Sequence, residues 1–368
     1  MSGIPSIIEN LFPLAVENNA SDIHLKTGRP ALLRISSQLV EAEMAPITAE
    51  QILAFVQATM PARFNERWVK ENQVDYSFMA GVGGGTRFRV NAYLQRNEPA
   101  LVMRLVKQTP PCFADLGLEG KSFMRAIESM EGMVVVCGAT GSGKSSTLAA
   151  ILREVNEHSP LRVVTLENPI EYVFKDNKCS FSQREVGIDV ETFPSGLHAA
   201  LRQDPDIVLV GEMRDRETFE TALHAAETGH LVLSTLHAGT AQQAVQRLFE
   251  FYPPEQLPMA KRNIAGCLKA VIVQTLVPKI GGGVAPADEI FIIDATARRI
   301  IAEGQFEKIP DLVNAGTDVG SRSMNSDLNQ LVRAGKVSRA DALARSPNPK
   351  QLEMILSGIN IAASGIIR

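Results

Sequence analysis

The chain has 368 residues, a formal net charge of −4 and an apolar fraction of 45%, which predicts two domains and gives no overall attraction to nucleic acid or to an anionic membrane. Its four cysteines, Cys112, Cys137, Cys179 and Cys267, are scattered without a C-x-x-C pair; this argues against a zinc site or disulfide framework and fits a reducing cytoplasm. No signal peptide is expected at the start, and no apolar run reaches the length of a membrane span.

Residues 4–16 carry apolar side chains at helical spacing, and 21–25 alternate as a half-buried strand does. Gly28-Arg29-Pro30 is a turn, and 31–35 is the returning strand. Thr48, with Gln51 three residues on, predicts a capping box for a helix running through Met60. Residues 75–79 and 87–94 alternate again around a glycine-rich hairpin tip at 81–85, and 100–106 closes a small α+β domain with an antiparallel sheet. Thr109-Pro110-Pro111 opens a linker that runs on through Gly120, because adjacent prolines cannot donate to a ladder.

Beyond it the pattern becomes α/β. Apolar β runs at 133–137, 161–166, 207–210, 231–236 and 289–293 alternate with helices predicted at 144–155, 217–228, 240–249 and 255–273. β-branched runs without alternation predict strands buried on both faces, hence a mostly parallel sheet with ligand at the strands' carboxyl ends. From Met324 short helices follow, closed by Gly335 and Gly358.

Gly138-Ala139-Thr140-Gly141-Ser142-Gly143-Lys144-Ser145, with Ser146 behind it, joins the first of these strands to the first helix. In that context G-x-x-x-x-G-K-[ST] is a phosphate cradle. Glycines let consecutive N–H groups turn inward, and the helix start adds its positive dipole end. Lys144 would reach the β and γ phosphates, and the Ser145 hydroxyl would ligate Mg²⁺. Hydrolysis needs a carboxylate to hold or polarise water and cations to meet developing charge. Three strand ends offer such groups. Glu167 ends one strand, followed by Asn168-Pro169-Ile170-Glu171. Glu212 ends the strand 206–210 through Gly211, in the manner of a Walker B acid near Mg²⁺. His237 ends the strand after His230, beside Glu212 and near the γ-phosphate. Arg214 and Asp215 are expected to form a salt pair where the next helix begins.

These stretches resemble a known family, the type II/IV secretion (GspE/PulE-like) ATPases, and within it the PilT/PilU retraction ATPases of type IV pili. Residues 201–215 (LRQDPDIVLVGEMRD) match the secretion-ATPase signature. Residues 226–237 look like its His box, and 167–171 through Gln183-Arg184-Glu185 like its Asp box. Ser21-Asp22-Ile23-His24 and Arg87-Phe88-Arg89-Val90-Asn91 resemble its PAS-like amino-terminal domain. The resemblance implies a PAS-like domain over 1–110 and a RecA-like P-loop ATPase domain with a helical tail over 111–368. It implies a homohexamer in which one subunit's amino-terminal domain packs on the next subunit's ATPase domain, with ATP and Mg²⁺ as cofactors. Glu167 would then activate water, Glu212 would be the Walker B acid and His237 the γ-phosphate sensor, while Arg89 and Arg104 would reach the phosphates. The expected work is pilus retraction in twitching motility, through a PilC-like inner-membrane platform protein. The chain would be cytoplasmic, held at the inner membrane by the pilus machinery, with no nucleic acid partner. The alternative is an accessory PilU-like subunit that binds nucleotide and acts beside a paralogous pilus ATPase, with weak or dependent hydrolysis. Two departures keep it open. Asn168 stands where an aspartate is usual, and 296–303 (TARRIIAE) replaces the retraction motors' Ala-Ile-Arg-Asn-Leu-Ile-Arg-Glu.

Overall fold

Strict alternation in Thr86–Gln95 sends Phe88, Val90 and Ala92 into an apolar core and Arg87, Arg89 and Asn91 to the other face. That pattern, repeated on neighbouring strands, builds the first of two units, Met1–Thr109 together with Glu171–Val173; the second is Pro110–Ile170 with Phe174–Arg368. The computed structural model describes residues 3–35, 38–81, 85–316 and 319–358; most of the predicted hairpin tip at 81–85 lies outside them.

In the first unit the strands are β1 (Asp22–Lys26), β2 (Leu32–Ile35), β3 (Gln38–Glu41), β4 (Gln73–Ala80), β5 (Thr86–Gln95) and β6 (Glu98–Leu105). They form an antiparallel sheet in the order β3-β2-β1-β6-β5-β4. Phe12, Phe55, Phe78 and Phe88 stack on its apolar face, with ring centroids 5.1–6.3 Å apart. The capping box expected at Thr48 and Gln51 starts the helix Ala49–Thr59. The strand β3 and the helix Asn65–Glu71 were not foreseen: β3 is exposed along its length and Asn65–Glu71 buries no residue, so neither shows a clear apolar period. The three residues Glu171–Val173 join this unit through a bridge from Tyr172 to Lys107, whose ammonium lies 5.5 Å from the Tyr172 ring centroid.

In the second unit the strands are β7 (Gly132–Cys137), β8 (Arg162–Glu167), β9 (Ser180–Glu185), β10 (Ile207–Val210), β11 (Leu231–Leu236), β12 (Leu268–Pro278) and β13 (Val284–Ile292). The sheet order is β13-β12-β7-β11-β10-β8-β9, parallel throughout except for β13. The expected helix over 255–273 is corrected. The helix Leu257–Cys267 stops at Cys267, and Leu268–Pro278 is a strand. Its run Val271-Ile272-Val273 is buried and pairs with β7 on one side and β13 on the other, so β-branching and a two-faced burial site outweigh helical spacing. The expected linker through Gly120 is also shorter. Cys112 and Asp115 form a capping box on the short helix Phe113–Leu116, which belongs to the second unit. β9 and the helix Phe193–Ala200 were missed; β9 is polar and half-buried, and offers no apolar run. Short helices fill the tail: Met324–Arg333, Arg339–Arg345 and Pro349–Leu356.

Candidate active site

The sheet order sets β7, β11, β10 and β8 side by side, all parallel, so four loops leave the same edge. In that sequence they carry Gly138, His237, Glu212 and Glu167. Register makes the neighbours close: Cys137 lies opposite Leu236, and Val210 opposite both Ser234 and Leu166. Side chains reinforce it, with Ser234 Oγ donating to the Val210 carbonyl at 2.7 Å and Thr235 Oγ1 to the Gly211 carbonyl at 2.6 Å.

The phosphate loop has no slack. Gly138, Gly141 and Gly143 all have positive φ, a region costly for a residue bearing Cβ. A Cβ on Gly138 would stand 2.4 Å from the Gln274 carbonyl oxygen and 2.4 Å from Ser142 Oγ. Gln274 of β12 is therefore the floor of the loop, and its Oε1 accepts from Thr147 Oγ1 at 2.5 Å. Gly143 caps the helix Lys144–His158 in the left-handed conformation. Lys144 Nζ donates to the carbonyls of Gly138 and Ala139 at 2.9 and 3.0 Å, which folds the ammonium over the loop. Thr140, Ser145 and Ser146 lie on the same loop and first helical turn. A tight, amide-lined bend with a cation at its mouth fits a phosphate chain.

Glu212 meets both charged neighbours: Oε2 is 2.7 Å from Arg214 Nη2 and Oε1 is 3.3 Å from His237 Nε2. Burial acts to raise its carboxyl, but Arg214, His237 and Lys144 outweigh burial and hold it below the ordinary value. The expected Arg214–Asp215 pair does not form. Arg214 turns to Glu212, while Asp215 caps the helix Arg216–Glu227, accepting from Thr218 N at 2.8 Å. His237 is steadied by its own carbonyl, which accepts from Arg247 Nη1 at 2.8 Å. His230 is at the far end of β11, where its ring contacts the Ala225 carbonyl, a helix-end role.

Glu167 Oε1 accepts from Thr165 Oγ1 at 2.6 Å and from Gln183 Nε2 at 3.2 Å. These two positioning groups were not singled out in the sequence as partners of Glu167. Thr165 is the alternate residue of the same strand, and Gln183 reaches from β9, which pairs with β8. A Cβ on Gly211 would stand 3.2 Å from the Leu166 carbonyl and 3.5 Å from the Glu167 Cα, so glycine brings the two carboxylate-bearing strand ends together.

Arg89 and Arg104 are in the first unit, directly opposite each other on β5 and β6. Arg89 Nη2 is 3.6 Å from Asp75 Oδ1, and Arg104 Nε is 2.8 Å from Asp22 Oδ1. The structure therefore gathers the phosphate loop, Glu167, Glu212 and His237 in one unit and the two arginines in the other.

A buried parallel sheet with a glycine-built phosphate cradle and carboxylates on the adjoining strand ends defines a P-loop nucleotide hydrolase. The profile of the type II/IV secretion system proteins matches residues 2–302, and the chain belongs to that family. It is an ATP hydrolase of the secretion ATPase superfamily and, more narrowly, a member of the PilT-like type IV pilus ATPase family. It is 37% identical over 343 residues to a type IV pilus retraction ATPase, PilT, of Pseudomonas aeruginosa, covering 93% of this chain and 99% of that one. It is 32% identical over 350 residues to the type IV pilus ATPase PilU of the same organism, covering 95% and 91%. The crystal structure of the pilus retraction motor PilT with bound ADP superposes with a TM-score of 0.86 at 38% identity, over 94% of this chain and 98% of that chain. Among the described residues no helix is long and apolar enough to cross a membrane.

Proposed function

We propose that this chain is a Mg²⁺-dependent motor that works as a homohexamer and drives retraction of type IV pili. The observation that carries the reading is the meeting of Lys144, Glu212, His237 and Glu167 at one edge of the parallel sheet. In this reading ATP lays its triphosphate along 138–146, and Lys144 exchanges the Gly138 and Ala139 carbonyls for phosphate oxygens. Ser145, and Glu212 partly through water, would hold Mg²⁺, which neutralises phosphate charge when bound. Glu167, fixed by Thr165 and Gln183, takes the proton of the attacking water. His237 couples to the site through Glu212, so its ring reports the state of the phosphates. Arg89 and Arg104 of the amino-terminal domain, over 1–110, meet the phosphates bound to the ATPase domain, over 111–368, of the adjoining subunit. Hydrolysis removes that contact, and the domains turn as rigid bodies. An inner-membrane platform protein of the pilus receives the motion, which places the motor at the membrane's cytoplasmic face.

Purified protein should hydrolyse Mg²⁺-ATP, and Glu167→Gln should lower kcat by about 10²–10⁴ while nucleotide still binds. Unchanged turnover in that variant would sink the assignment of the base. Retraction itself is tested by expressing the chain in a piliated host that lacks its own retraction ATPase: twitching should return.

A second reading, an accessory PilU-like subunit, is favoured by Asn168 beside Glu167 and by the sequence TARRIIAE in the helix Ala295–Glu303. It predicts negligible turnover alone and a rise on mixing with a paralogous pilus ATPase. Robust turnover alone excludes it.

A further inference from the structure

The register of the first unit lines up four charged residues across neighbouring strands: Arg34 on β2, Asp22 on β1, Arg104 on β6 and Arg89 on β5. All four lie on the face opposite the phenylalanine core, since Leu33, Ile23, Met103, Phe88 and Val90 beside them are buried. Arg104 and Arg89, directly opposite each other, repel. The Asp22 carboxylate, between Arg34 and Arg104, offsets part of the row's positive charge.

Asp22 fills that role in an unusual way. It is 4% exposed, and a buried carboxylate is costly unless its oxygens are satisfied. Oδ1 accepts from Arg104 Nε at 2.8 Å, Oδ2 accepts from Ser21 Oγ at 2.8 Å, and Arg34 Nε lies 3.9 Å from Oδ2. The contact to Arg104 is through Nε, the donor at the root of the guanidinium. It leaves both terminal nitrogens outside that bond, on a side chain that is 67% exposed. Arg89 is held differently, by a terminal nitrogen 3.6 Å from Asp75, and its side chain is 30% exposed. Of the facing pair, Arg104 is the one set up to present a fork of donors to an incoming anion.

We propose that Asp22 is a positioning residue for ATP hydrolysis, gripping Arg104 at Nε so that its two terminal nitrogens are aimed at the phosphates. This rests on the reading that Arg104 meets phosphate; Asp22 itself touches neither substrate nor metal. An orientation role differs from simple charge balance in one respect: removing the Asp22 charge affects turnover only while Arg104 is there to be oriented.

The test is a double-mutant cycle on the full-length protein. It measures single-turnover hydrolysis of Mg²⁺-ATP with enzyme in excess, together with the steady-state KM. Asp22→Asn is expected to lower the rate about 10- to 100-fold, as a misplacement of about 1 Å does, with KM changed less than about threefold. In the Arg104→Ala background the same substitution should change the rate less than about twofold. Equal losses in both backgrounds would mean a general structural role and overturn the proposal, as would full activity in Asp22→Asn with Arg104→Ala impaired. Full activity in Arg104→Ala would instead overturn the underlying reading of the arginine. If Asp22→Asn does not fold, as judged by circular dichroism, Asp22→Glu replaces it. That variant keeps the charge but shifts it by one methylene, and its rate should fall, again only when Arg104 is present.

Discussion

The two regions that the proposed mechanism brings to the phosphates are built by opposite means. The strand-end site of the second unit is made largely of backbone: glycines with positive φ, a loop seated on the Gln274 carbonyl, and carboxylates that leave adjacent parallel strands. The arginine row of the first unit is made of side chains on an antiparallel sheet, held in place by ion pairs with Asp22 and Asp75. The first is tight where Gly138 and Gly143 pass Gln274, with no room there for an added Cβ. The second depends on side chains, of which Arg104 is the most exposed at 67%. The proposed motor would use one of each: a fixed seat for the phosphates and a contact that senses them.

The contrast can be broken most sharply at Arg104. Arg104→Ala should lower kcat by about 10³–10⁵, the range of a transition-state arginine, with nucleotide affinity in equilibrium binding nearly retained. If affinity fell in parallel with kcat, the arginine would be part of the seat. Gly138→Ala attacks the seat instead. The new Cβ has the Gln274 carbonyl and Ser142 Oγ within 2.4 Å, and strain of about 1–3 kcal/mol corresponds to a loss of roughly 5- to 150-fold. Titration with a fluorescent nucleotide should show that loss in Kd. Gln183→Leu removes one donor to Glu167 and is expected to lower kcat about tenfold, the equivalent of one hydrogen bond to a charged group. A pre-steady-state phosphate-release assay reads it directly.

The smallest effect is expected away from both regions. Arg322 Nη2 lies 3.2 Å from Asp288 and Nη1 3.3 Å from Asp327, and this cluster lines a cavity of about 320 Å³. Burial first, then the Asp327 charge, pushes the Asp288 carboxyl up, against the pull of Arg322. A carboxyl raised in the folded state binds a proton that the unfolded chain has already released. Its contribution therefore falls as pH rises from the unfolded value of 3.8 toward about 8. Asp288→Asn should flatten that slope in thermal unfolding and raise Tm at pH 8 relative to the parent, by about 2–4 °C per kcal/mol recovered. An unchanged slope would show that Asp288 stays ionised when folded.

The same contrast explains what could be read in the sequence. The second unit's site is written in contiguous motifs, because a loop between a strand and a helix is a local object: Gly138 to Ser145, Glu167, Gly211-Glu212 and His237 all declare themselves. The row of Arg34, Asp22, Arg104 and Arg89 is scattered over 82 positions and exists only through register. The family resemblance pointed to two of its members, and Asp22 was legible only as part of a motif, without its role. Gln183 was hidden for the same reason, since β9 carries no apolar signal of its own and is placed by pairing with β8. The helix expected over 255–273 failed where tertiary burial on both faces of Leu268–Pro278 overrode local spacing.

The affiliation of Glu171–Val173 with the first unit has a practical meaning for anyone who would cut this protein in two. The polypeptide visits that unit, leaves at Pro110, and comes back for three residues shortly after the strand that ends in Glu167. A fragment ending at Thr109 would lack the Tyr172 bridge to Lys107. A fragment starting at Pro110 would carry a stretch whose natural partner had been discarded. Dissecting the chain at its prolines would leave neither half whole.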